Sequence, residues 1–308
     1  MLFFYLALSL LVAATHAGYS LVDTYEASNF FSEFDFFTGP DPTNGFVQYV
    51  DQATAESTGL ASTNDSLVYM GVDHSTVSSS GRASVRVTSQ KSYTHGLVVA
   101  DISHMPGGEC GTWPAFWTVG PNWPNDGEID IIEGVNSANT NQMTLHSNDG
   151  CSMTGGSETG NRISTNCYAY AAGNQGCGVV DSDTQSYGTG FNDQKGGVYA
   201  MEWTSQAINI YFFSRMSVPP NVLSQNPDPT TWGTPVASYQ DGCNIDANFQ
   251  SHQIVFDTTF CGDWAGNTWS SSSCASSAAS CTDFVANNPS AFTEAYWEIL
   301  SLQVFQTS

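Results

Sequence analysis

Residues 125–134 read Asn-Asp-Gly-Glu-Ile-Asp-Ile-Ile-Glu-Gly, so three acids, Glu128, Asp130 and Glu133, stand among isoleucines. Isoleucine is branched at Cβ and is more common in strands than in helices, which predicts a β-strand here. Successive side chains of a strand point to opposite faces. Glu128 and Asp130 are therefore expected on one face, with Ile129 behind them in the core.

Strict alternation would turn Glu133 into the core, where an unpaired carboxylate is costly. A β-bulge near residues 131–132 would insert one extra residue and return Glu133 to the acidic face. The backbones of Glu128 and Glu133 would then lie about 13 Å apart. Their side chains can lean together until the carboxyls are about 5–6 Å apart, near the ~5–5.5 Å of a retaining glycosidase and below the ~6.5–9.5 Å of an inverting one.

Three acids on a strand also occur on solvated strand faces and at cation sites, so the stretch has to be interpreted in its context. We therefore consider the bulk properties of the chain, its predicted elements and the residues around the acids.

The chain has 308 residues and begins with an apolar run, 2–14, followed by small residues up to Ala17. This pattern is typical of a secretory signal peptide, and the run is shorter than the roughly 20 residues of a membrane helix. We predict a signal at residues 1–17, a single domain at 18–308 and a secreted, extracellular protein.

Six Lys and Arg residues stand against 29 Asp and Glu residues, for a formal net charge of −23. Such a chain is a poor partner for nucleic acid or for an anionic membrane, and a neutral substrate is expected. The even number of cysteines, eight, predicts up to four disulfides whose pairing is left open. No C-x-x-C pair or histidine cluster indicates zinc.

Short alternating or β-branched runs separated by Gly, Ser, Asn and Pro predict an all-β sandwich or barrel. These runs are residues 46–50, 67–72, 83–88, 97–102, 115–119, 129–132, 143–146, 198–203, 207–213, 253–256 and 296–305. The residues between 203 and 207 are predicted to form a hairpin turn.

Three further segments are expected to lie outside the sheets. Residues 19–37 are predicted to wrap around the body, and residues 148–197 to form loops held by disulfides. Residues 270–280, flanked by Cys274 and Cys281, are predicted to form a small closed loop.

Three tryptophans precede the acids, and their flat rings can stack on the C–H faces of sugars. Trp113 is assigned to the core. Trp123, which lies between two prolines, is the preferred sugar platform, and Trp117 is the second choice. Trp264 lies in a later loop with a similar composition.

Two basic side chains can reach the acidic face. His146 ends the next predicted strand and would contact the carboxylates if that strand pairs with the acidic one, although a strand histidine is often structural. Arg86 can neutralise a carboxylate or bind a sugar hydroxyl.

The residues Glu128-Ile-Asp130-Ile-Ile-Glu133 resemble the E-x-D-x-x-E signature of glycoside hydrolase family 16 in its bulged, laminarinase form. The segments 111–117, 120–123, 198–213 and 261–266 resemble fungal secreted endo-1,3(4)-β-glucanases of that family. The likeness covers nearly the whole chain after the signal. It implies a β-jelly-roll sandwich of two antiparallel sheets with a concave substrate cleft.

The resemblance also implies residue roles. Glu128 matches the nucleophile, Glu133 the acid/base and Asp130 the residue that orients the nucleophile. The residues that resemble sugar-binding positions are Trp117, Trp123, Trp264, Arg86 and Asn44. Some members bind calcium, but after Asp181-Ser-Asp183 the rest of a calcium loop does not follow, and no metal or other cofactor is predicted.

The predicted activity is retaining endo-hydrolysis of laminarin-type β-1,3-glucan, with mixed β-1,3/1,4-glucan as a further substrate, by a monomer. Two alternatives stay open: a transglycosylase with the same acids, and a non-catalytic β-glucan-binding lectin. A serine hydrolase is disfavoured because the chain has no G-x-S-x-G elbow.

Overall fold

The computed structural model describes residues 18–64 and 66–307. The predicted signal, residues 1–17, lies outside the described residues. Within the described ranges, no helix is both long and apolar enough to cross a membrane.

Strands dominate the described chain. In chain order they are β1 (Tyr19–Tyr25), β2 (Phe34–Phe36), β3 (Val47–Tyr49), β4 (Ala61–Thr63), β5 (Val68–Gly71), β6 (Arg82–Ser84), β7 (Arg86–Tyr93), β8 (Gly96–His104), β9 (Thr112–Val119), β10 (Glu128–Glu133), β11 (Gln142–His146), β12 (Asn161–Arg162), β13 (Cys177–Val180), β14 (Gly197–Trp203), β15 (Ala207–Ser214), β16 (Ala237–Gln240), β17 (His252–Phe260) and β18 (Tyr296–Thr307).

The helices are short and connect the strands. The α-helices are α1 (Phe30–Glu33), α2 (Gln52–Thr58), α3 (Gly188–Asp193), α4 (Ile245–Asn248) and α5 (Cys281–Asn287). The 3₁₀ turns are Pro229–Thr231, Trp269–Ser271, Ser273–Ser276 and Pro289–Phe292, and a π-helical turn spans Gly262–Gly266.

Two eight-stranded antiparallel sheets form the domain. Sheet I has the order β16-β15-β14-β8-β18-β5-β4, and β1 also pairs with β18. Sheet II has the order β12-β13-β11-β10-β9-β17-β7-β2. A small parallel pair, β3 with β6, lies outside them. This is the predicted jelly-roll sandwich, and each run that was predicted to be a strand overlaps one.

The inner faces of the two sheets share one hydrophobic core, which includes Ile129 and Ile132 of sheet II and Ile299 of sheet I. Phe256 stacks on Phe116 within sheet II, with ring centroids 4.3 Å apart. It also meets Trp297 of sheet I edge to face at 5.4 Å. Burial of these aromatic rings stabilises the contact between the sheets.

All eight cysteines form disulfides: Cys110–Cys274, Cys151–Cys243, Cys167–Cys177 and Cys261–Cys281. The predicted closed loop at 270–280 is therefore wrong, because Cys274 and Cys281 bind different distant partners. The expected number of disulfides is confirmed.

Of the other two predictions for irregular segments, one is wrong and one is correct except for a few short elements. Residues 19–37 do not wrap around the body, because β1 joins sheet I and β2 joins sheet II. The segment 148–197 is held by the disulfides Cys151–Cys243 and Cys167–Cys177, as predicted, but it also contains β12, β13 and α3. Composition concealed β2, β12 and β13, since a strand of two to four residues has too few side chains for alternation to be seen. The predicted hairpin at 203–207 is confirmed.

Candidate active site

The acidic strand β10 is bulged as the sequence predicts. Asp130 lies opposite Trp117 of β9, but Ile132 lies opposite the preceding residue, Phe116, so one extra residue is accommodated between them. Glu133 then lies opposite Ala115, which is in phase with Trp117, the partner of Asp130 on the outer side of β9. The bulge therefore returns the third acid to the outer face of sheet II.

A buried asparagine holds this bulge. The Asn141 side-chain oxygen accepts a hydrogen bond from the Glu133 backbone N–H at 2.9 Å, and its amide nitrogen donates to the Ile131 carbonyl at 2.8 Å. Asn141 is fully buried. Backbone groups that a bulge removes from the ladder need other partners when buried, and Asn141 supplies both.

His146 lies beside the acids, as predicted from strand pairing. It pairs with Glu128 across β10 and β11. Its Nε2 lies 3.4 Å from Asp130 Oδ2 and 3.8 Å from Glu128 Oε1. Among the described residues, Asp130 Oδ2 is buried without a hydrogen-bond partner. The imidazole thus lies within ion-pair distance of this oxygen.

The assignment of Trp113 to the core is wrong. Its side chain is partly exposed, and its Nε1 donates a hydrogen bond to Glu133 Oε1 at 2.8 Å. Trp113 points outwards because it alternates in phase with Ala115 and Trp117 along β9, while Phe116 takes the core side. A tryptophan with its polar edge on an acid belongs to the site.

A fourth acid lies on the same face. Asp257 of β17 accepts hydrogen bonds from Trp117 Nε1 at 3.3 Å and from the Tyr49 hydroxyl at 3.1 Å. The Arg86 guanidinium lies 3.9 Å from Asp257 Oδ2 and packs over the rings of Trp117 and Phe37, at 5.0 and 4.8 Å. These contacts agree with the first of the two roles predicted for Arg86, which is to neutralise a carboxylate.

Trp123 flanks the other end of the acids. It is 39% exposed, and its side chain lies near enough to the Glu128 carboxyl to lower the pKa of that acid. Its ring also meets Tyr170 edge to face, with centroids 5.9 Å apart. Trp123 therefore combines an accessible ring with a polar contact to an acid.

Trp264 and Asn44 lie beyond Trp113. The rings of Trp264 and Trp113 meet edge to face at 5.7 Å. Asn44 donates a hydrogen bond to Asp263, next to Trp264, at 2.9 Å. The predicted sugar-binding residues thus surround the acids, with Trp123 beyond Glu128 and with Trp264 and Asn44 beyond Glu133.

Burial raises the pKa of every acid on this face, and the neighbouring groups that add to this shift or oppose it differ from one acid to the next. Burial and the nearby Asp130 raise the pKa of Glu128 to about 8, while His146 and the Trp123 indole lower it. Burial and Asp130 hold the pKa of Glu133 well above its usual range, and the Trp113 hydrogen bond opposes them. Burial, then Asp257, also raises the pKa of Asp130.

Burial likewise raises the pKa of Asp257, to about 6, and Arg86 opposes this shift. Carboxylates this close cannot all be charged at once, so the cluster retains protons near neutral pH. Glu128, Asp130 and His146 also offer ligand atoms within 4.8 Å of one another, a set that could hold a cation.

Sequence reasoning missed Asn141, Asp257 and the role of Trp113. For Trp113 the signal was present, because alternation along residues 113–119 places it in phase with Trp117. Asp257 alternates with the core residue Phe256 on β17, but its proximity to the acids depends on pairing with distant strands. Nothing local marks Asn141, which precedes β11 and reaches back to the bulge.

An outer sheet face that combines buried carboxylates, an imidazole and indole rings is typical of a carbohydrate-active jelly-roll domain. Residues 34–305 match the family model described as XgeA-like, catalytic GH16 domain. The chain therefore belongs to this family, as its acid signature predicted.

Individual relatives are similar over most of the chain. A probable endo-1,3(4)-beta-glucanase of Aspergillus niger is 48% identical over 97% of this chain, which spans 41% of that protein's length. Laminarinase 16A of Phanerochaete chrysosporium, solved with beta-glucans in its donor and acceptor sites, has a TM-score of 0.89 and 42% identity, covering 94% of this chain and all of that one. An elongating GH family 16 beta-1,3-glucosyltransferase has a TM-score of 0.87 and 46% identity with the same coverage.

Proposed function

We propose that this chain hydrolyses internal bonds of laminarin-type β-1,3-glucan with retention of anomeric configuration. The observation that carries the proposal is the bulged strand β10, which brings Glu128 and Glu133 to one face with Asp130 between them. Two acids on either side of one sugar bond are the machinery of retaining hydrolysis.

Glu128 is the proposed nucleophile. It is proposed to react as the carboxylate, and His146 and Trp123 favour this form because they lower its pKa against burial and Asp130. The Glu128 carboxylate attacks the anomeric carbon and forms a covalent glycosyl-enzyme. Asp130, between the two, orients Glu128.

Glu133 is the proposed acid/base. Its protonated carboxyl donates to the leaving glycosidic oxygen, and the carboxylate that results accepts the hydrogen bond of Trp113. It then takes a proton from water, which attacks the anomeric carbon and releases Glu128. One group thereby serves as the acid and then as the base.

The rings around the acids are proposed to bind the glucan. Trp117, Trp123 and Trp264 offer flat faces to sugar rings, and each is partly or largely accessible. Arg86 and Asn44 are proposed to bind hydroxyls. Such a site suits a neutral polymer because most of its contacts are apolar or hydrogen bonding.

Transglycosylation is the second candidate. The similarity to an elongating β-1,3-glucosyltransferase, 46% over 94% of the chain, favours it specifically. Both reactions would form the same glycosyl-enzyme and differ in whether water or a sugar accepts the glycosyl group. A glucan-binding lectin is disfavoured, because a lectin has no need for two buried acids at one bond.

Secretion and a monomeric state are further parts of the proposal. They are supported by the predicted signal at 1–17, the four disulfides and the high negative charge. Disulfides persist mainly in oxidising compartments. Detection of the protein in culture medium and its elution by size would test both.

The test of function is digestion of laminarin, lichenan and carboxymethyl cellulose, with products followed by size and by NMR of the anomeric proton. Early release of short β-configured oligosaccharides from laminarin is expected, and cleavage of lichenan would extend the substrates to mixed-linkage glucan. Products longer than the starting chains would establish the transferase. Laminarin bound but uncleaved would establish the lectin.

Substitution of the acids tests the roles. Glu128→Ser and Glu133→Ala should each lose most turnover on laminarin while they keep the unfolding temperature of the wild type. On an aryl β-glucoside, whose leaving group departs without a proton, azide should restore turnover to Glu133→Ala with a β-glycosyl azide product, and azide should restore turnover to Glu128→Ser with an α-product. Full activity of either variant would refute the assignment.

A further inference from the structure

A short loop closed by the Cys167–Cys177 disulfide lies directly beside the acids. Its residue Tyr168 forms a bridge with Ser147, the residue after His146. Gly176 has a φ of +63°, and a Cβ added to it would lie 2.8 Å from the His146 ring. The loop backbone therefore packs against the imidazole as closely as a glycine allows.

This loop carries two tyrosines whose rings form a row with that of Trp123. Tyr170 meets Trp123 edge to face at 5.9 Å, and Tyr168 meets Tyr170 in the same way at 5.7 Å. We call Trp123, Tyr170 and Tyr168 the aromatic strip. It begins at Trp123, which lies beside the Glu128 carboxyl and lowers its pKa, and it continues through Tyr170 to Tyr168.

The strip is not needed to hold the loop. The disulfide closes the loop, and Ala169 N donates to Ser147 O at 3.0 Å. Tyr170 is 67% exposed, so its ring contributes little to any core. Single exposed tyrosines are ordinary on protein surfaces, but a continuous row on a braced loop beside a site is the kind of surface that binds a ligand without ordering itself first.

We propose that the aromatic strip binds glucosyl units of the β-glucan chain that lie beyond the cleaved bond, on the Glu128 side. Tyrosine rings stack on the C–H faces of sugars, and phenol hydroxyls exchange hydrogen bonds with sugar hydroxyls. The occupant is the same neutral polymer as in the active site because the strip is continuous with it through Trp123. This inference rests on the proposed function.

The strip makes long chains better substrates than short ones. Tyr170→Ala should raise KM for laminarin about three- to tenfold, as expected for loss of one stacking ring. It should leave kcat and KM unchanged on the shortest laminari-oligosaccharide that the wild type cleaves. Tyr170→Phe should keep most of the affinity for laminarin, and Tyr168→Ala with Tyr170→Ala should lose more than Tyr170→Ala alone.

Tyr69→Ala is the matched control, because Tyr69 pairs with Tyr296 on sheet I, away from the acids. Its KM for laminarin should equal that of the wild type. Unfolding temperatures of all variants show whether each is folded. Affinity electrophoresis in gels with laminarin, on a Glu128→Ser background, measures the same loss without turnover.

Three outcomes overturn the proposal or its basis. An unchanged KM for laminarin in Tyr170→Ala refutes the strip, while the function stands. An equal loss on short and long substrates refutes it too, since Tyr170 would then act by positioning Trp123. A wild type that neither cleaves nor binds laminarin refutes the proposed function itself.

Discussion

Trp113 donates the hydrogen bond of its indole N–H to the Glu133 carboxyl at 2.8 Å. This bond stabilises the ionised form of Glu133 and lowers its pKa against burial and Asp130, which raise it. In the proposed mechanism Glu133 becomes a carboxylate once it has protonated the leaving group. Trp113 therefore assists that step by holding the charge that develops.

Trp113→Phe removes this donor while keeping an aromatic ring. A hydrogen bond to a charged group contributes about 1.5–3 kcal/mol, so kcat on laminarin should fall by roughly ten- to a hundredfold. The pKa of Glu133 should rise further, which moves the alkaline limb of the pH profile of kcat to higher pH. Trp232→Phe is the control, because it loses a hydrogen bond from an indole to Asn221 instead. It should leave kcat and the alkaline limb unchanged. An unmoved alkaline limb in Trp113→Phe would show that the bond does not tune Glu133.

Asn141→Ala tests whether the bulge positions Glu133. The change leaves the Glu133 N–H and the Ile131 carbonyl buried without their partner, which should cost about 1–3 kcal/mol of unfolding free energy. Because the bulge then relaxes, kcat should fall by more than the loss of stability explains at temperatures where the variant is fully folded. Denaturant unfolding and kcat at 25 °C measure the two effects.

Asn209→Ala is the control for Asn141. Asn209 donates to Glu202 and accepts from Ser238 in sheet I, so its loss should lower stability and leave kcat alone. A normal kcat in folded Asn141→Ala would mean that the strand pairing alone sets the bulge.

His146→Ala should move the acidic limb of activity to higher pH. The imidazole lowers the pKa of Glu128, and without it the nucleophile keeps its proton to a higher pH. The pH profile of kcat/KM reports this group in the free enzyme. His95→Ala removes an exposed imidazole that pairs with Asp246 at 2.8 Å and should leave the profile unchanged. An acidic limb that moves to lower pH in His146→Ala would contradict the prediction that the imidazole lowers the pKa of Glu128.

Stability should fall as the pH rises from about 4 to about 8. Burial raises the pKa of Asp257 to about 6, of Glu109 to about 7 and of Glu128 to about 8. Ordinary values near 4 apply to the unfolded chain, so the folded state binds more protons across this window. Stability from groups with raised pKa values is present below about pH 4 and is lost as each folded-state pKa is passed.

Thermal unfolding at a series of pH values measures this slope. Glu109→Gln removes one of the raised groups and should flatten the curve, most of all between pH 5 and 7. Glu56→Gln, at an exposed helix position, should leave the slope as it is. A wild-type unfolding temperature that rises steadily from pH 4 to 8 would contradict the raised pKa values.

The sequence by itself determined the sandwich, the acidic face and the family. The alternation of apolar and polar side chains along a strand is a local pattern, so it was enough to predict the main strands. The bulge followed from the cost of burying Glu133, which is also a local argument. The signature of three acids was specific enough to indicate the family, and the strand after it placed His146 beside Glu128.

The tertiary structure decided which groups surround the acids. Asp257 lies beside the acids because β17 pairs with β9, a strand more than a hundred residues away in sequence. Asn141 contacts the acidic strand because its side chain hydrogen bonds with the backbone at the bulge. Cys274 and Cys281 look like a pair in sequence, yet each binds a different partner. Strand order and disulfide pairing depend on how the whole core packs, and no local pattern of residues encodes that.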